Sequence, residues 1–231
     1  MNPFRLLFCA LVIFVLASCH SLVFSKKQLD FTKNMSSILS GAKVSLSINA
    51  TSGTSGSYKN YEINVEGLPP ADSANMAANI MLASSYPAFI FYEDTIADRR
   101  SYKYIDVIVK VNEKEYTTRY TPHQLQQVDG CLLTFNGFVR AIKAANADSL
   151  GYYSDTSMID RSATASLAGK LKEAEAQWGA VQKQITKGFR VGERNGGTYV
   201  FFKIYLKRET LNQAASFSID PATKKVIGYS M

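Results

Sequence analysis

The feature that most constrains the fold of this chain is a strict alternation of side-chain types at residues 198–208. The even-numbered positions are apolar, namely Val200, Phe202, Ile204 and Leu206. The odd-numbered positions mix aromatic and basic side chains, namely Tyr199, Phe201, Lys203, Tyr205 and Lys207. Because successive side chains of a strand point to opposite faces, this pattern predicts a long β-strand with one face buried. The chain must then contain a second layer that covers that face.

The residues around this strand predict a C-terminal domain at 162–231. Three-four spacing of apolar residues predicts a helix that ends at Gly188. The apolar positions of this helix are Leu167, Leu171, Ala174, Trp178, Val181 and Ile185. Further strands are expected at 189–194, 214–219 and 226–229. One helix followed by three or four antiparallel strands is an α+β arrangement.

The region 29–147 predicts an N-terminal α+β domain. A first helix ending near Gly41 precedes a hairpin with strands at 43–50 and 58–65. The uncharged run 73–92 would span a membrane by length alone. Its Asn, Ser and Pro residues instead favour a buried helix at 73–85 and a short inner strand at 88–92. A second hairpin is expected at 102–121.

A capping box opens the clearest helix of the chain. Thr121, Pro122 and Gln124 supply a capping hydroxyl, a proline at the first helical position and a side chain that reaches back to the cap. The apolar stripe of this helix comprises Leu125, Val128, Leu132, Phe135, Val139 and Ile142. Residues 148–161 lack periodicity and predict a linker, so the pattern divides the chain into two domains.

The N-terminus carries the pattern of a secretory signal. Arg5 is the single charged residue before Cys19, and residues 6–16 form an uninterrupted apolar core. As a helix this core would reach only ~16 Å, whereas a bilayer span needs ~20 residues. The small residues Ala17 and Ser18 follow the core, so a cleaved signal peptide is predicted.

The segment Leu16-Ala17-Ser18-Cys19 resembles the lipobox of bacterial lipoproteins. The resemblance implies that residues 1–18 are removed and that Cys19 carries palmitate or a similar lipid. The residues that follow, 19–28, are predicted from the sequence to be a short tether. It also implies the bacterial envelope, with the periplasmic side of the outer membrane expected because no aspartate follows the cysteine. The alternatives are an ordinary signal peptide cut near residues 17–18 and, as a distant third, eukaryotic secretion with glycan acceptors at Asn34 and Asn49.

Residues that could support catalysis or metal binding are sparse. His123 falls in the first turn of a helix, where a solvated or capping role is typical. Cys131 is the one thiol left after signal removal and lipidation, and it is predicted to be a small buried side chain. The acidic residues Glu93, Asp94 and Asp98 precede two arginines and favour a solvated loop over a metal site. No catalytic residue, cofactor or metal is therefore predicted.

Positive charge is concentrated in the C-terminal region. Residues 161–231 contain 12 Lys and Arg residues against 5 Asp and Glu, whereas residues 19–160 contain 13 against 14. Cations and rings on one strand face suit a protein or polysaccharide partner in the envelope, and no nucleic acid is expected there. The candidate partner-binding residues are Tyr199, Lys203, Tyr205 and Lys207. In the competing interpretation, the rings pack under the helix while the lysines extend to water.

The C-terminal segment is similar to nuclear-transport-factor-like and cystatin-like domains in Trp178, Gly188, the long strand and the closing residues 226–231. The resemblance implies a helix packed on an antiparallel sheet. The sequence thus predicts a non-enzymatic binding or scaffold component that lipid holds at the membrane. The alternative is a small-ligand carrier or an envelope enzyme with a pocket between helix and sheet.

Overall fold

The computed structural model describes residues 26–53, 56–70, 73–95, 102–194 and 196–231. Cys19, the signal segment and Asp98 lie outside the described residues. The described chain forms helices packed on two four-stranded sheets, which confirms the predicted α+β class. Each sheet turns one face toward a common apolar core.

The N-terminal sheet has the strand order β1-β2-β3-β4. Both predicted hairpins are confirmed, since β1 pairs with β2 and β3 with β4 in antiparallel register. β2 and β3 are parallel, because the helix α2 carries the chain from the end of one to the start of the other. The elements are α1 (Lys26–Ile38), β1 (Lys43–Gly53), β2 (Gly56–Glu66), α2 (Ser73–Asp94), β3 (Tyr102–Val111) and β4 (Lys114–Tyr120).

The expected strand at 88–92 is wrong, because α2 continues through Pro87 as a single helix. A proline inside a helix removes one backbone hydrogen bond and costs about 3 kcal/mol. Burial on several sides offsets this cost, since α2 packs against β3 and β4 as well as against a strand of the other sheet. Ala83, Ala88 and Phe91 are at most 1% exposed. No helix among the described residues is long and apolar enough to cross a membrane.

The C-terminal sheet is an antiparallel meander of four strands in sequence order. The predicted capping box is confirmed, because the backbone N–H of Gln124 donates to Oγ1 of Thr121 at 3.2 Å and the Thr121 N–H donates back to Oε1 of Gln124 at 2.9 Å. The elements are α3 (Pro122–Lys143), α4 (Ala147–Tyr153), α5 (Arg161–Trp178), β5 (Lys183–Arg194), β6 (Gly197–Lys207), β7 (Asn212–Asp220) and β8 (Lys225–Ser230).

The segment 148–161, predicted to be a linker, is packed against the fold. It contains most of α4, and Leu150 is fully buried in the core while Ile159 is 7% exposed. The backbone N–H of Asp155 donates to the Val226 carbonyl at 2.8 Å, which fixes the segment to β8. The division into two domains stays a prediction.

The predicted end of the last helix at Gly188 is also wrong. α5 ends at Trp178, where Gly179 caps it at a φ of 80°. Gly188 instead lies inside β5, at an irregularity between Thr186 and Phe189 where one extra residue enters the strand. Its φ of 97° is the left-handed conformation that a bulge of this type requires. Glycine suits both a helix cap and a strand bulge, so the sequence pattern alone did not distinguish the cap at Gly179 from the bulge at Gly188.

Aromatic rings fill the space between α3 and the C-terminal sheet. Phe135 packs on Phe202 and Phe217 with ring centroids 4.6 and 5.5 Å apart, and Phe138 lies 5.0 Å from Phe217. Phe189 joins this group to the N-terminal half, where its ring contacts Tyr120 at 5.8 Å. The apolar side chains of the two sheets therefore belong to one continuous core.

Candidate binding face

The C-terminal sheet has a face that points away from α3, and we call it the outer face. On β6 the side chains of the opposite face are buried, whereas the five of the outer face are half-buried or exposed. Strand pairing adds Arg190 opposite Phe201 and Gly192 opposite Tyr199 from β5, and Ser216 and Ser218 from β7. The outer face of β6 consists of Tyr199, Phe201, Lys203, Tyr205 and Lys207.

All four predicted partner-binding residues lie on this outer face. The competing interpretation places these rings under the predicted helix 162–188; in the structure the sheet rings that contact a helix are Phe202 and Phe217, which lie on the opposite face and meet α3. The strict alternation along β6 was sufficient to separate the two faces.

Tyr205 has two ammonium groups near its ring. Its hydroxyl donates to Oδ1 of Asn75 on α2 at 3.0 Å. Nζ of Lys187 lies 5.1 Å from the ring centroid and Nζ of Lys203 lies 5.9 Å from it. Cations within about 6 Å of an aromatic ring are attracted to its negative face. The ring is therefore fixed at one end while both lysines remain at the surface.

Tyr199 reaches across the neighbouring strand over Gly192, which has no side chain. A Cβ at Gly192 would approach Cζ of the Tyr199 ring to 2.6 Å, so only glycine leaves room for the ring in this position. The ring covers the β5 backbone and is held in place by it. Together with Phe201, two residues along the same strand face, it forms a paired aromatic surface.

A cavity of about 520 Å³ opens at this end of the outer face. Its walls include both aromatic rings, one guanidinium and two carboxylates, together with small hydroxyl and apolar groups. Cavities of this size with mixed apolar and polar walls are typical of small-molecule sites. The residues with aromatic or charged groups are Asp155, Arg194, Tyr199, Phe201 and Asp220.

Both carboxylates of the cavity are oriented by turns of the chain. Oδ1 of Asp155 accepts from the N–H and the hydroxyl of Ser157 at 2.9 and 2.6 Å. These hydrogen bonds, the one from the hydroxyl more than the one from the backbone N–H, lower the pKa of Asp155 and keep its carboxyl group ionised. Asp220 accepts from the Ala222 N–H at 2.8 Å and from the Thr223 hydroxyl at 3.0 Å. The cavity therefore holds two fixed hydrogen-bond acceptors.

The cations of the outer face differ from those of the N-terminal sheet. There, Lys110 contacts Glu66 and Glu115 at 3.3 Å, and Nε of Arg119 lies 2.7 Å from Asp106. Within the described ranges, no carboxylate oxygen lies within 4.0 Å of the cations of the outer face. The cations that the strand register places on this face are Lys183, Lys187, Arg190, Arg194, Lys203, Lys207 and Lys225.

Sequence reasoning missed the contribution of β5 to this face. In a regular strand Lys187 and Arg190 would point to opposite sides, since they are three residues apart. The extra residue at the Gly188 bulge reverses the alternation, so both side chains reach the outer face. A bulge glycine is the one signal in the sequence that could have revealed this arrangement.

The remaining candidate residues do not form a site. His123 is exposed at the start of α3. Cys131 is fully buried, as predicted, and burial raises the pKa of its thiol to about 11. Glu93 and Asp94 end α2, and the described residues contain no cluster of three potential metal ligands.

Comparisons of the chain with protein-family models, with curated proteins and with solved structures found no match. The fold and the outer face must therefore be interpreted from their own chemistry.

Proposed function

We propose that this protein is a non-enzymatic binding component of the bacterial envelope, which lipid on Cys19 holds at the membrane. Its outer face binds an anionic partner on the periplasmic side. The single observation that carries the proposal is the collection of seven cations on one sheet face, with Asp220 as the one carboxylate that the described strands place there. Like charges held together without counterions favour an anionic ligand and accelerate its association.

The site of anchoring follows from the sequence resemblance. A single acyl chain binds membranes only marginally, whereas two or more chains hold a protein stably. We expect the wild-type protein to fractionate with membranes and its N-terminal peptide to carry the mass of the acyl chains. Cys19→Ser should release the protein into the soluble fraction. A Cys19→Ser protein that stays on the membrane would contradict anchoring at this residue.

The alternative function, a carrier with a pocket between helix and sheet, receives less support. Phe135, Phe138, Phe202 and Phe217 fill the space that such a pocket would need, with ring centroids 4.6 to 6.0 Å apart. Binding at the surface of the sheet requires no change in this packing. The outer face is therefore the better-supported site.

Charge reversal on the outer face tests the proposal. Lys203→Glu with Lys207→Glu changes the local charge by four units and should abolish crosslinking to the native partner in intact cells. The matched control is Lys170→Glu with Lys172→Glu, which makes the same change at exposed positions of α5. We expect the control to retain the crosslinked species. Equal crosslinking by both double variants, each folded by circular dichroism, would refute the proposal.

A further inference from the structure

We propose that the ligand of the outer face is an acidic polysaccharide, bound with its sugar rings on Tyr199 and Phe201 and its acidic groups on the lysines of β5 and β6. This inference rests on the proposed function and names the class of ligand. Three features of the face support it: the hydrogen-bonding capacity of the cavity, the position of the aromatic rings and the arrangement of the cations.

The cavity offers carboxylate acceptors to a ligand that donates hydrogen bonds. Ionised carboxylates accept hydrogen bonds and donate none, and each has about four acceptor positions. Asp155 and Asp220 each use two such positions within the chain, which leaves others for a ligand. Sugar hydroxyls supply donors of this kind. An acidic peptide supplies only its backbone N–H groups, because its carboxylate side chains donate none.

The aromatic pair suits the faces of sugar rings. Side chains two apart on one strand face are separated by about 7 Å. Tyr199 and Phe201 have this spacing, and the ring of Tyr199 lies over Gly192 of the neighbouring strand. The face of an aromatic ring is negative and attracts weakly positive C–H groups. A sugar ring carries such groups on its faces and hydroxyls on its edge, so it can contact the rings and the carboxylates together.

The cations require an acidic ligand farther along the same face. Along β6, the distance from Tyr199 to Lys207 is about 26 Å at ~3.3 Å per residue. Lys187 and Lys203 lie close to the ring of Tyr205, between these ends. Ammonium groups donate hydrogen bonds and accept none. At every repeat a polymer of acidic sugars offers carboxylate acceptors to the lysines and hydroxyl donors to the cavity. These match the two ends of the strand face, which carries aromatic rings and carboxylates near Tyr199 and lysines toward Lys207.

Comparing the binding of two polymers that carry the same acidic group distinguishes recognition of a polysaccharide from attraction to any polyanion. The full-length lipoprotein in detergent micelles is titrated by calorimetry with polygalacturonate and with poly-L-glutamate at equal carboxylate concentration. We expect polygalacturonate to bind at least about tenfold more tightly, which corresponds to about 1.4 kcal/mol. Tyr199→Leu and Phe201→Leu should remove this preference. Tyr116→Leu, an exposed tyrosine of β4 that is 40% accessible, is the matched control and should retain it.

Asp155→Asn provides a second variant of nearly unchanged shape. Its effect on simple charge repulsion is common to both polymers, whereas the loss of a charge-assisted acceptor weakens more the polymer that offers several hydroxyl donors per repeat than the one that offers a single backbone N–H. The ratio of the two affinities should therefore fall. An unchanged ratio in the Asp155 and aromatic variants would overturn the inference.

The outcomes distinguish this inference from the proposed function. Equal binding of both polymers, lost in the Lys203→Glu and Lys207→Glu protein, would retain anionic binding and refute the polysaccharide. Tighter binding of poly-L-glutamate would indicate an acidic peptide and also refute it. Binding of neither polymer would refute both proposals.

Discussion

Gly188→Ala is the substitution whose effect the structure defines most sharply. Gly188 lies where β5 of the C-terminal sheet meets α2 of the N-terminal half. An added Cβ would lie 2.5 Å from Oγ of Ser85, 2.8 Å from the Met81 carbonyl oxygen and 3.0 Å from Cα of Leu82. Two of these atoms belong to the helix backbone, so no side-chain rotation can relieve the contacts. The neighbouring N–H of Phe189 also donates to Oγ of Ser85, at 3.1 Å.

Two independent costs add at this position. A φ of 97° is unfavourable for any residue with a Cβ and costs about 1–3 kcal/mol. Overpacking of a tight interface costs a further 1–3 kcal/mol or so. We therefore expect Gly188→Ala to lower the free energy of unfolding by about 2–6 kcal/mol. This is a large fraction of the 5–15 kcal/mol or so that is typical of a folded protein.

Urea denaturation followed by circular dichroism measures this change. Gly169→Ala is the matched control, because Gly169 lies in α5 with no atom within 4 Å of its added Cβ and has no positive φ. Alanine is favoured over glycine in a helix by about 1 kcal/mol, so the control should be neutral or more stable. A Gly188→Ala protein within about 0.5 kcal/mol of the wild type would refute the argument.

Three smaller perturbations test individual contacts. Thr121→Ala removes the acceptor for the Gln124 N–H at the start of α3 and should cost about 1 kcal/mol in urea denaturation; no loss would contradict the role of the cap. Asp160 caps α5, and its hydrogen bonds with Ser162 and Ala163 lower its pKa. Its stabilising contribution should thus be complete above the unfolded pKa near 3.9 and disappear as the pH falls through the folded value, a dependence that Asp160→Ala should lack. Cys131 has a thiol pKa of about 11 and is fully buried, so iodoacetamide near pH 8 should label it only after unfolding; rapid labelling of the folded chain, detected by mass spectrometry, would show that the site opens.

The parts of the fold that the sequence predicted are those set by local periodicity. The alternation in β6 and the three-four stripe of α3 both appear in the structure at nearly their predicted positions. In each case one side of the element is buried and the other is not, so the spacing of apolar residues is enough to identify the element and its buried side. The capping box at Thr121 was equally local, and its two hydrogen bonds are present.

The predictions that were wrong or missing concern features that depend on contacts between residues distant in sequence. α2 is apolar on all sides because two sheets cover it, so it has no periodicity that separates a helix from a strand. The parallel pairing of β2 with β3 and the bulge at Gly188 are likewise fixed by neighbours in space. The candidate face was found only in part for the same reason. Its β6 residues follow from alternation, whereas Lys187 and Arg190 reach it through the bulge.

The packing of α2 also supplies a test of the predicted division into two domains. Unfolding of the C-terminal sheet alone would expose the side of α2 that contacts β5, including the apolar contact of Phe89 with Phe189 at 6.0 Å. Trp178, the single tryptophan, lies in the C-terminal half, so its fluorescence reports on that half while far-ultraviolet circular dichroism reports on the whole chain. The shared core leads us to expect coincident urea transitions by the two probes. An earlier fluorescence transition would instead show that residues 162–231 unfold as a domain of their own, and that the α2 contacts contribute little to holding the halves together.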